Sequence, residues 1–246
     1  MANTTYINLV NQLLRRLNEV EIEQSDFASA RGVQAMAKDA INSAINEINM
    51  QEFEWPFNAD SHSETLVAGT EEYTFPTDLK SVDWESFHLV KDDALNTNGH
   101  HLQLISKDVR YKYLKNKDDN SGSDGLSVPS VIYPTPTGFG VSPSPDEAYE
   151  ITYNYFKKPT QLSAYSDQST IDTIYDEIII QGGLYHFYMF RDNSEQADRA
   201  LQRFRQLINR MRTILINSGQ DDRMRSTMLV KRKPVSGMYV NDYFVV

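Results

Sequence analysis

Cysteine is absent from the 246 residues. That excludes disulfide scaffolds, thiolate zinc sites, iron–sulfur clusters and cysteine nucleophiles. No apolar run approaches the roughly 18 residues that a bilayer-crossing helix needs. The stretch from Met1 to Val20 has no continuous apolar core, so no signal peptide is expected there. Positive charge is in deficit, with 24 Lys and Arg against 34 Asp and Glu and a net charge of −10. Proteins that wrap nucleic acid by neutralising phosphates are usually basic overall. Glycine is sparse at 11 residues, yet there are 14 Tyr, 11 Phe and 2 Trp. With 40% apolar and 24% charged residues the chain has enough material for a real core.

Apolar spacing at three and four residues marks helices at both ends. Tyr6, Ile7, Val10, Leu13, Leu14 and Leu17 define the first, with Asn3, Thr4 or Thr5 as candidate N-caps. The second is expected from about Ser29 to Met50, with Ala37, Ala40 and Ala44 allowing a neighbouring helix to approach closely. A third is expected over Asp176 to Phe190. It is apolar nearly all round, which predicts burial on most faces, and Gly182-Gly183 in its middle predicts close packing. The last runs from about Ser194 to Asn217, with Gly219 as its stop.

Trp55-Pro56-Phe57 closes the helical pattern, and β-like segments follow. Glu64–Val67 and Glu72–Phe75 flank a glycine-containing turn and read as a hairpin. Ser81–Lys91 and His101–Ile105 each read as a strand, and Ser106 caps a short helix near 106–116. Val131–Tyr133, Gly138–Val141 and Tyr149–Phe156 complete the β-region. The expected class is α+β, a four-helix bundle from residues 1–52 and 172–219 interrupted by an inserted antiparallel β-domain at 53–171. An extended docking tail is expected over 220–246.

Catalytic signatures are missing: no H-E-x-x-H, no Walker loop and no G-x-S-x-G. Gly138-Phe139-Gly140 opens like a dinucleotide fingerprint, but the third glycine position is Pro143. Asp118–Pro129 departs from a calcium loop at its sixth position, Ser123, and its twelfth, Pro129. His100 and His101 point to opposite faces of a strand and do not share a metal. No enzymatic activity, cofactor or metal is expected.

Charge is unevenly distributed. From Arg199 to Lys233 there are ten Lys and Arg against two acids, a net of +8, which leaves −18 on the rest. A basic helix and tail on an acidic body predict docking onto an acidic partner, such as another copy of the chain. The candidate partner-binding residues are Arg199, Arg203, Arg205, Arg210 and Arg212 on the helix. In the tail they are Arg223, Arg225, Lys231, Arg232, Lys233, Tyr239, Val240, Tyr243 and Phe244.

The order of helical hairpin, Trp55-x-Phe57, Leu66-x-x-Gly69-x-x-x-Tyr73-x-Phe75-Pro76-x-Asp78, β-insertion, two helices and tail resembles the head-to-tail adaptor proteins of tailed double-stranded DNA bacteriophages. It is most similar to their connector and tail-tubular-A type. The resemblance implies a structural virion protein at the portal vertex, assembled in the host cytoplasm. It implies a homo-oligomeric ring of about twelve copies between portal protein and tail nozzle, lining the channel for double-stranded DNA without a membrane partner. An acidic ring would let the duplex slide through. Two other readings are a ring or tail-completion protein lower in the same tail, and a carbohydrate-binding tail component with tyrosine platforms.

Overall fold

A computed structural model describes residues 3–52, 54–90, 99–110, 112 and 125–217. The fold is α+β. The chain divides into two compact units, Met1–Phe57 with Pro159–Val246, and Asn58–Lys158. The β-unit therefore ends at Lys158, earlier than the boundary at 171 read from the sequence. Residues beyond it hydrogen-bond to the first helix, where Tyr6 and Ile7 donate their amides to the carbonyls of Asp167 and Tyr165.

Those two bonds also explain how helix α1 (Tyr6–Arg16) begins. Thr5 occupies the N-cap position without a side-chain cap. The orphan amides of the first turn are met by backbone carbonyls instead. Helix α2 (Val33–Gln51) starts later than its apolar pattern suggested, because Gly32 turns the chain at φ +58°. Helices α3 (Asp176–Phe190) and α4 (Ser194–Arg212) follow, and α4 continues into a wider turn over Thr213–Asn217.

Helix α3 is the central element, with α1, α2 and α4 all packed on it. Its glycine pair sits at the crossings. A Cβ on Gly182 would meet the Cβ of Ala44 and the ring of Phe204, each at 2.8 Å. On Gly183 it would meet Ile41 at 3.1 Å and Leu13 at 3.2 Å. The alanines of α2 and the glycines of α3 thus form the two sides of one close contact. Trp55 closes the core at the end of α2, fully buried and donating its indole N–H to the Ile48 carbonyl at 2.8 Å.

Among the described residues the β-unit has nine strands in two sheets around one aromatic core. One sheet contains β1 (Ala59–Thr65), β3 (Leu79–Val82), β4 (His88–Leu89), β5 (His100–His101) and β9 (Glu150–Lys157). In it β1, β3 and β4 all pair antiparallel with β9. The other runs in the order β2 (Glu72–Thr74), β8 (Gly138–Ser142), β7 (Val131–Pro134), β6 (Gln103–Leu104). Its β6–β7 pair is parallel, a departure from the antiparallel expectation. Phe87 stacks on Tyr153 at 4.5 Å between ring centroids, and Phe139 meets both rings edge-on. Ile151, Tyr153 and Tyr155 point inward on β9, as their alternation predicted.

Three strand readings change. The expected hairpin around Gly69 does not form, because β1 and β2 belong to different sheets. The Tyr73 hydroxyl accepts the Val67 amide at 2.9 Å and lies 3.0 Å from the Thr70 carbonyl, so a side chain closes this turn. The single strand expected over Ser81–Lys91 breaks into β3 and β4. Asp83 causes the break, taking the Ser86 amide on its carbonyl and the Glu85 amide on its carboxylate. The strand expected over His101–Ile105 switches sheets at the buried Leu102.

Candidate partner-binding surface

Helix α4 positions the arginines singled out in the sequence. Asn193 caps its start by accepting the Gln196 amide at 3.3 Å. Ala197, Ala200, Phe204, Ile208 and Met211 are buried, which turns Arg199, Arg203, Arg205 and Arg210 outward.

The five arginines are not equivalent. Arg199 bonds Glu195 one turn back at 2.5 Å, an exposed pair. Arg212 turns back onto the end of α2, pairing with Glu52 and reaching the Gln51 carbonyl. It stitches two helices together and is partly occupied. Arg203, Arg205 and Arg210 form no ion pair among the described residues. Arg203 faces toward Glu177, whose carboxyl is held below its usual range, first by its bond to Arg16 and lastly by Arg203. The remaining candidates, Arg223, Arg225, Lys231, Arg232, Lys233, Tyr239, Val240, Tyr243 and Phe244, lie outside the described residues, as do Gly219 and the Asp118–Asp124 part of the acidic loop.

The histidines are engaged locally. His186 on α3 contacts Glu47 on α2 at 2.9 Å. The His100 and His101 rings lie 2.9 Å and 2.6 Å from the Pro129 and Glu85 carbonyls. Among the described residues no three His, Asp or Glu are grouped to hold a metal ion. No described helix is long and apolar enough to cross a membrane. Gly138 and Gly140 are packing residues, since a Cβ on Gly138 would lie 1.8 Å from the Tyr73 carbonyl oxygen and one on Gly140 would strike the Tyr133 ring.

Two features escaped the sequence reading. One is the buried Arg110, which pairs with Glu71 at 3.2 Å above the ring of Tyr133. Ser144 donates to the other Glu71 oxygen at 3.1 Å. The second is an exposed apolar end of the helical unit. Val20, Met189 and Phe190 are 79%, 53% and 49% exposed. The Arg191–Glu19 bond at 2.9 Å draws their two segments together. Helix α3 is apolar on all sides, so its composition carried no sign of which residues face water.

Charged and apolar patches of this kind, on an otherwise well-packed α+β protein, are the features that dock proteins. A family model described as SU10 adaptor protein matches residues 4–232. The chain belongs to that family, which makes it a phage adaptor-type protein and a structural part of the virion. No curated protein matches the chain.

Proposed function

We propose that the chain is a head-to-tail adaptor of the connector type, acting structurally and without catalysis. About twelve copies form a ring between the portal protein and the tail nozzle, around the channel that double-stranded DNA passes through. The helical unit forms the body of the ring and the β-unit presents a platform to the nozzle. The segment from Asp221 to Val246 clasps the portal or a neighbouring subunit.

The family match over residues 4–232 carries this reading. The outward arginines of α4, three of which make no ion pair among the described residues, and the uneven charge support it, since they suit docking on an acidic protein surface. An acidic body suits passage of DNA without sticking.

The test mixes the chain with the portal ring encoded by the same genome and measures the mass of the particle. The portal is expected to gain about twelve chains, and to gain none when the chain lacks residues 221–246. A gain that survives the deletion removes the clasp role alone. A portal that gains no mass removes the portal-adaptor reading.

A further inference from the structure

Strand β1 is an open edge of its sheet, bonded to β9 alone. It has seven residues, whereas β2, β3, β5 and β6, the other strands with an open side among the described residues, have two to four. A long open edge is a template for further pairing unless a proline, a lysine or a bulge blunts it. The run Ala59-Asp60-Ser61-His62-Ser63-Glu64-Thr65 contains neither residue, and its register with β9 is unbroken.

The phase of the ladder shows which backbone groups are unused. Leu66 donates its amide to the Tyr149 carbonyl. Glu64, His62 and Asp60 are in step with Leu66 and bond to β9. Ala59, Ser61, Ser63 and Thr65 turn their backbone groups outward, and all four are exposed. The Ser61 amide is met locally by the Asp60 carboxylate at 2.9 Å.

The side chains of His62 and Glu64 share the face of β1 that lies beside the buried face of β9, opposite Tyr153 and Ile151. The His62 ring stands 5.5 Å from the Tyr153 ring. Glu64 Oε2 is buried without a hydrogen bond, and burial pushes its carboxyl up against the pull of His62. A buried acceptor of this kind gains from a donor brought by a partner.

The strand is self-complementary about Ser63: Ser61 mirrors Thr65, and His62 mirrors Glu64. Laid antiparallel on a second β1 with Ser63 opposite Ser63, the outward pairs Ser63–Ser63 and Ser61–Thr65 exchange backbone bonds. His62 of each copy then falls opposite the partner's Glu64, in the class of pair whose side chains lie closer. Other registers with the same groups outward do worse. One sets His62 against His62 and Glu64 against Asp60, and another sets Glu64 against Glu64; like charges directly opposite destabilise. A centre on Ser61 sets His62 against Asp60, which Lys157 and the Ser61 amide already engage, and carries Glu64 past the end of the strand. Charge thus selects both the second copy and the register.

We propose that β1 pairs antiparallel with β1 of a second copy about a twofold axis at Ser63, with His62 of each copy bonded to the partner's Glu64. Neighbours in a cyclic ring meet head to tail and not about a twofold axis. The pairing therefore belongs to the chain outside the ring and goes beyond the adaptor reading.

The experiment uses the absence of cysteine. Ser63→Cys supplies a single thiol, and the paired Cα atoms across the axis stand about 5.5 Å apart, within reach of a short bismaleimide crosslinker. The full chain carrying Ser63→Cys is expected to give at least tenfold more crosslinked dimer than Ile174→Cys, an exposed position in the helical unit, at equal concentration. Adding His62→Glu is expected to lower the yield to that of Ile174→Cys, and adding Glu64→His as well is expected to restore it. Thr65→Pro removes an outward amide while leaving the bonds between β1 and β9 in place. It is expected to abolish the crosslink and serves where His62→Glu fails to fold, with circular dichroism as the check. A yield from Ser63→Cys no greater than from Ile174→Cys overturns the proposal. So does a yield that withstands His62→Glu or Thr65→Pro in a folded chain, or one that the exchanged pair does not restore. The portal-mass test uses none of these variants, so the two readings fail separately.

Discussion

Gly182 and Ala44 face each other so closely that a methyl group on the glycine would lie 2.8 Å from the alanine Cβ. The same methyl would lie 2.8 Å from the Phe204 ring. Replacing glycine by alanine inside a helix normally stabilises it by about 1 kcal/mol. Here the overpacking of three helices outweighs that gain. Gly182→Ala is expected to destabilise the chain by about 1–2 kcal/mol, read as a lower urea midpoint. Gly183→Ala meets only flexible side-chain ends beyond 3 Å and is expected to be close to neutral. Equal losses at the two positions would show that helix crossing is not what selects Gly182.

Gly138 is more constrained still, because the obstacle is backbone. Gly138→Ala forces β2 away from β8, and the expected cost is about 3 kcal/mol. Near-ultraviolet circular dichroism should report it, since Tyr73 and Phe139 pair across that register and stack at 5.5 Å. Gly140→Ala strikes a side-chain ring and should cost less. An unchanged aromatic spectrum for Gly138→Ala would contradict the assigned register.

The Arg110–Glu71 pair gives a third expectation. Arg110 is 2% exposed, so removing the Glu71 carboxylate takes one charged contact from a buried cation. Glu71→Ala is expected to cost about 3 kcal/mol. Arg110→Met with Glu71→Leu should recover most of that loss, because the charge and its partner leave together. A double variant as unstable as Glu71→Ala would mean that packing over Tyr133 matters more than charge.

Two adjacent acids should respond to pH in opposite directions. The Glu177 carboxyl lies below its usual range, chiefly through its bond to Arg16. Its contribution is present above the unfolded carboxylate pKa of about 4.3 and is lost as pH falls through the lower folded value. Glu177→Gln is expected to be less stable than the parent at pH 7 by about 0.5 kcal/mol, since the pair is well exposed, and the difference should close in acid. Asp176 is pushed up by burial, against a bond from the Thr4 hydroxyl. Its contribution is present below the unfolded pKa and is lost as pH rises through the folded one. Asp176→Asn should therefore gain stability relative to the parent as pH rises through that folded value. Urea midpoints measured from pH 3 to 8 check both signs.

The helices were legible because burial imposes a period. Leu13, Ala44, Ile179 and Phe204 fall where spacing placed them, and all are fully buried. The helix starts were less legible. Thr5 has a capping residue's chemistry, yet carbonyls more than 150 residues away satisfy the first turn of α1. The hairpin reading around Gly69 failed for a related reason. Local turn chemistry is the same whether the strands beyond it pair with each other or with β9 and β8. Sequence separation carries no record of that choice.

The candidate surface divides in the same way. Composition placed the arginines on the outer side of α4, and the amphipathic period is sufficient for that. It did not separate Arg212, tied to Glu52, from Arg205 and Arg210, which make no ion pair among the described residues. Nor did it mark Phe190, which shares its helix with the buried Phe187.

By itself the sequence determined the elements and their faces: helices at the ends, strands between, a basic last helix, and small residues where helices cross. Those follow from periodicity, volume and charge, which are properties of neighbours along the chain. Tertiary structure decided the division of strands between two sheets, the pairing of Arg110 with Glu71, and the exposure of Val20, Met189 and Phe190 at one end. These depend on contacts between residues far apart in sequence, and the free energy of such contacts is set by which surfaces meet.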